Sequence, residues 1–271
     1  MTGRNIVPMS RRTSSLLFLT SGIGLVAFTW PLFVSANSAL LANHGRVATW
    51  AFTALVPLLL AVAVAEVRDG TLEVKTVALL AILVAIGTVL RIVGSGIIGG
   101  EPLFALLILS GRGLGRGFGY LYGATVLLCS ALATGFVGPW LPFQMLACAW
   151  MGFAAGCLPA LSPRRERLML AVFGGVAAIA YGTLLDLWFW PFQTGLASRI
   201  SYVPGAALST NLQHFFFFDL TTSLGFDLLQ AVTNVVLLLV FSTAILRALD
   251  RTARRAAFGV KATFLNSSVD H

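Results

Sequence analysis

Apolar runs of about twenty residues recur along this chain, and no other sequence feature restricts its fold as much. They fall at about 15–34, 47–66, 76–93, 118–134, 140–161, 168–189 and 224–246. Each is long enough to cross a hydrocarbon core of about 30 Å. Only 10% of the 271 residues are charged and 58% are hydrophobic, which excludes a soluble globule. A chain in lipid must satisfy its backbone within each span, so helices are expected, and the alternating ten-residue strands of a barrel are absent. The predicted fold class is an all-α polytopic membrane protein.

The formal net charge of +8 has its origin in topology and does not point to nucleic acid. With the N-terminus in the cytoplasm and every segment crossing, only Arg46, Arg91 and Arg199 of the eighteen basic residues lie outside, leaving fifteen inside. Both termini are then cytoplasmic, at a plasma membrane. The count requires segment 102–110 to cross as well. Nine residues of helix rise only about 14 Å, so this segment must be surrounded by protein or border a cavity. Short or broken helices commonly flank transporter sites.

The candidate site residues cluster at the outer ends of the spans. Arg91 closes one span and Glu101 opens the short segment, on either side of a glycine loop at 94–101. They could pair and shape a lid, although an acid beside Pro102 is also ordinary helix-start chemistry. Asp227, Gln230 and Asn234 share one face of the last span. Polar groups there should face the bundle or a wet cavity. Trp140 and Gln144 begin the 140–161 span, and Asp186 ends the next one. Tryptophan at that level is commonly an interfacial anchor. His214 and Asp219 flank four phenylalanines in a long connection, 191–223, that could close over a site. Phe104, in the short segment, completes the proposed binding set. The basic tail from Arg247 is expected to be disordered or to lie on the membrane surface.

Several chemistries are not indicated. Cys129, Cys148 and Cys157 lie in apolar spans without metal spacing and read as buried structural thiols. The glycine-arginine turn at 111–117 lacks the order of a phosphate-binding loop. No nucleophile elbow, HExxH or ligand set appears. No catalytic residue, metal or cofactor is assigned, and the chain is not expected to hydrolyse ATP.

Four features occur together between residues 76 and 161: an alanine-spaced helix, a short helix after a glycine loop, the turn G-R-G-L-G-R-G-F-G and the turn G-P-W-L-P-F-Q-M. This stretch resembles the S component, the substrate-binding membrane subunit, of an energy-coupling-factor (ECF) ABC importer. The resemblance covers about 76–249 and implies a six-helix core. Residues 1–14 would be a cytoplasmic N-terminus, 15–75 two extra N-terminal transmembrane helices with a loop, and 250–271 a basic cytoplasmic tail. It also implies capture of a vitamin or related micronutrient, most similar to the cobalamin type. Its partners would be a membrane-embedded T subunit and two cytoplasmic ATPases, with Ala78, Ala81 and Ala85 as the T-subunit contact. Internal helix packing would use the same small residues. Two alternatives stay open: a stand-alone secondary transporter coupled through Asp186 or Asp227, and an intramembrane lipid or isoprenoid enzyme.

Overall fold

The computed structural model describes residues 11–33, 57, 74–94, 100–193 and 199–255. The described residues are helical, without strands. They form α1 (Arg11–Thr29), α2 (Val74–Gly94), α3 (Leu103–Leu114), α4 (Arg116–Thr134), α5 (Leu141–Cys157), α6 (Pro163–Phe189), α7 (Leu208–Thr222) and α8 (Leu224–Arg255), with single 3-10 turns at Trp30–Leu32 and Trp190–Phe192. Among the described residues, five helices are long and apolar enough to cross a membrane: α1, α2, α4, α6 and α8, with α1 and α6 counted with their flanking 3-10 turns. The expected span at 47–66 and the glycine loop at 95–99 lie outside the described residues.

Helices α2 to α6 and α8 alternate in direction between two poles. The C-terminal ends of α2, α4 and α6 and the N-terminal ends of α3, α5 and α8 meet at one pole, where Arg91 reaches Ser130 and Gln144, and Glu101 meets Gln230. At the other, Arg112 near the end of α3 meets Glu166 at the start of α6 and the carbonyls after α5. Helix α3 therefore runs from pole to pole. Its 12 residues rise about 18 Å, and α2, α4, α5, α6 and α8 all touch it. Nearly every α3 side chain is buried, which answers how a helix too short for lipid is accommodated.

Backbones approach closely between α4 and α5. A methyl group on Gly152 would run into the Gly119 carbonyl, and one on Gly119 into that of Gly152. Small residues at such a crossing let helices gain packing contacts that lipid cannot offer. The exterior is apolar, with Val172, Val176, Val232 and Val240 all exposed, as a lipid-facing surface should be. Helix α1 is seated on this body. Phe28 is fully buried between Phe143, at 5.0 Å and edge-on, and Trp150, at 5.9 Å. The Trp150 indole donates to Ser21 Oγ at 2.8 Å.

Several expected boundaries shift. The glycine-arginine stretch is not a turn over 111–117, because α3 continues through Leu114 and only Gly115, at φ 104°, breaks the helix. Glycine supplies that left-handed conformation without strain. The 191–223 connection is not a loop throughout: its second half is α7. Helix α8 continues nine residues past 246, to Arg255, so the first part of the basic tail is ordered helix. Cys148 is buried as expected, but Cys129 and Cys157 are exposed.

Candidate functional site

The pole formed by Arg91 and Glu101 holds an open cavity of about 540 Å³. Its walls come from the α2–α3 junction, α5, α6 and α8. Glu101, Phe104, Gln144, Asp186, Asp227 and Gln230 line it, all expected from the sequence, together with Ala178, Tyr181, Gly182, Leu185, Ser223 and Phe226.

Each polar wall has a local cause. Gln230 pairs with the backbone of Glu101 in both directions: the Glu101 amide donates to Oε1 at 2.7 Å, and Nε2 donates to the Glu101 carbonyl at 3.1 Å. The start of α3 is thereby fixed to α8. Gln230 Nε2 also donates to Asn234 Oδ1, and Asn234 Nδ2 donates to the Gly174 carbonyl, each at 3.2 Å. Asn234 is fully buried beneath the cavity and does not line it. The polar stripe of α8 thus divides by depth. Asp227 and Gln230 form wall, while Asn234 ties α8 to α6 below the floor.

Arg91 stands just outside this wall. Its Nη1 donates to Ser130 Oγ at 2.8 Å and Nη2 to Gln144 Oε1 at 3.1 Å, with Nε 3.9 Å from Glu101 Oε2. It lines a neighbouring cavity of about 450 Å³ that shares Glu101 and Gln144 with the first. Burial pushes the Glu101 carboxyl above its ordinary value, and the Arg91 charge only partly opposes this.

On the opposite wall, Asp186 stands near Ser223 and Asp219, and Asp219 near Thr183. Asp227 packs against Gly182, where any larger side chain would displace its carboxylate. Asp186, Asp219 and Asp227 each keep one buried carboxylate oxygen without a hydrogen-bond partner among the described residues.

Two expected site residues lie elsewhere. Trp140 packs on Phe136 at 5.0 Å beside the entrance to α5. His214 on α7 contacts the Ser201 carbonyl at 2.8 Å through Nδ1. It belongs to a separate cap in which Trp190, Phe215 and Phe218 are buried together. Asn211 closes the same cap through two hydrogen bonds to Val203. Tyr181 was not foreseen. It meets Phe104 edge-on at 4.7 Å, and its only sequence signal was a position five residues before Asp186 on one helix.

Ala78, Ala81 and Ala85 are all exposed on α2. Ala81 and Ala85 line an apolar groove of about 590 Å³ that continues onto α4 at Thr125, Cys129 and Ala133. Among the described residues, nothing in the chain covers them.

Comparisons with family profiles, curated proteins and solved structures return no match to this chain.

Proposed function

We propose that this protein is a substrate-capturing membrane subunit of the S-component type, with the 540 Å³ cavity as its ligand site. The observation that carries the reading is that cavity. It opens at one pole, is floored by the short α3 and the Gln230–Asn234 ladder, and combines apolar walls with a few placed polar groups. Small-molecule sites have this size and composition. The volume favours a micronutrient smaller than cobalamin, which would project through the opening. The groove at Ala81 and Ala85 supports docking of a membrane-embedded coupling subunit, through which partner ATPases would drive delivery of the ligand inward. The cavity pole would face outward, by the charge count.

Mass spectrometry of compounds retained by the purified protein tests the reading. Ala178→Phe, which fills the cavity from α6, should strip the retained compound while the protein stays monodisperse. Leu185→Trp should do the same from further along that helix. Retention by both variants would move the site elsewhere. Ala81→Phe with Ala85→Phe should abolish co-purification of the coupling subunit and leave ligand retention intact.

A second reading has one specific observation in its favour. Carboxylates in the cavity wall are also what a cation-coupled secondary transporter requires. Substrate uptake by proteoliposomes containing this chain alone, driven by an ion gradient, would favour it.

A further inference from the structure

We infer that the cavity selects an organic cation, a protonated or quaternary amine attached to an apolar body. The inference rests on the cavity's being the ligand site and assigns the charge of its occupant.

The two sides of the cavity differ in their electrostatics. Glu101 has a basic neighbour, since Arg91 stands 3.9 Å away. Asp186 and Asp227 have none: among the described residues, no Lys or Arg comes within 4.0 Å of either, or of Asp219 behind them. Arg91 is turned from this side by its bonds to Ser130 and Gln144. Two carboxyls therefore face the cavity, with Asp219 behind them, without a counter-charge among the described residues, and each of the three retains an unpartnered buried oxygen.

A buried carboxylate oxygen left without a partner is unfavourable. A cation seated beside them supplies the opposing charge, whether or not it carries an N–H. A hydrated metal ion is a poor match to the remaining walls. Phe104, Tyr181, Phe226, Leu185 and Ala178 present apolar and aromatic surface to the same space. Aromatic faces attract alkylated ammonium groups, and here they stand beside the two carboxyls. The volume leaves space for an apolar body beyond the charged end.

Three probes that share a benzyl group separate charge from size: benzyltrimethylammonium, its neutral isostere neopentylbenzene, and the anion phenylacetate. Each is titrated against the purified protein, following tryptophan fluorescence and the thermal melt. The cation should bind at least about tenfold more tightly than the other two. That preference should fall by about tenfold or more in Asp186→Asn with Asp227→Asn, and partly in each single variant. Removing like charges should leave the melting temperature unchanged or higher, so loss of binding will not reflect loss of fold. Equal binding of all three probes, absence of cation binding, or a preference that survives the double variant would each overturn the inference. The cavity reading fails differently. If Ala178→Phe strips the co-purifying compound but the asparagine pair does not alter its retention, the site stands and the charge assignment falls. If neither change alters retention, both fall.

Discussion

Arg112 shows how far one side chain can depart from its sequence setting. Among glycines at 111–117, it reads as a marker of the cytoplasmic face. In the structure it is buried: Nε is 2.8 Å from Glu166 Oε1, and Nη1 and Nη2 donate to the Leu158 and Pro159 carbonyls at 2.8 and 3.2 Å. One guanidinium therefore neutralises an acid on α6 and satisfies carbonyls left open at the end of α5. Arg112→Ala should cost about 3–5 kcal/mol, because it strands Glu166. Arg112→Met with Glu166→Leu should recover much of that loss, and thermal melts in detergent will show whether it does. Glu101 gives a second test, with the sign fixed by burial. Its carboxyl is held above the ordinary value of 4.5 in the folded state. The protonated form therefore stabilises the fold below that value, and the contribution is lost as pH rises through the folded value. Relative to Glu101→Gln, the wild-type melting temperature should fall between pH 4 and pH 8. A constant difference would show that Arg91 compensates the charge fully.

Among the elements, the helices were legible because an apolar run of twenty residues has few other uses. Their junctions were less so, because glycine serves two purposes that composition does not separate. Gly115 turns the chain. Gly111 and Gly119, on either side of it, are helical and lie where the Gly152 backbone leaves no space for a side chain. A sequence reader sees one glycine-rich turn where the fold has a helix end, a hinge residue and a crossing point. The spacings Gly119–Gly123 and Gly152–Gly156 carry the crossing signal, as small residues four apart, and the alanines of α2 share that spacing without a crossing among the described residues. Gly152→Val should abolish recovery of monodisperse protein on size-exclusion chromatography. Gly22→Ala in α1, where no atom stands within 4 Å of the added methyl, should leave the profile and the melt intact. Equal tolerance at both positions would mean that the α4–α5 crossing is looser than it looks.

For the molecule as a whole, the alternation of poles was accessible from charge counting alone, because the cost of placing arginine on the wrong side accumulates over many residues. The site was accessible in part. Acids and amides in apolar helices are conspicuous, and six of the ten expected residues line the cavity. Tyr181 and Phe226 were invisible, since one aromatic residue in a membrane helix resembles the next until the neighbouring helix is placed. A lone His in a long connection reads more readily as a hydrogen-bonded structural residue than as a ligand, and His214 meets the Ser201 carbonyl in the cap of α7. The orientation has a direct test in a background lacking the exposed Cys129 and Cys157. Ser209→Cys should react with an impermeant maleimide on intact cells, and Ser162→Cys only after permeabilisation. Labelling of both from one side would defeat the alternating topology.

The brevity of α3 also has an electrical consequence. Where a cavity open to one aqueous phase reaches a helix only about 18 Å long, the transmembrane voltage no longer falls evenly over about 30 Å of hydrocarbon. It is concentrated across α3 and the side chains around it. A charge bound beside Asp227 then sits close to the potential of the compartment it came from, and capturing it takes little work against the field. Moving that charge past α3 crosses nearly all of the drop, worth about 2.3 kcal/mol for each 100 mV and favourable for a cation moving toward the negative side. Voltage would therefore act on release far more than on capture.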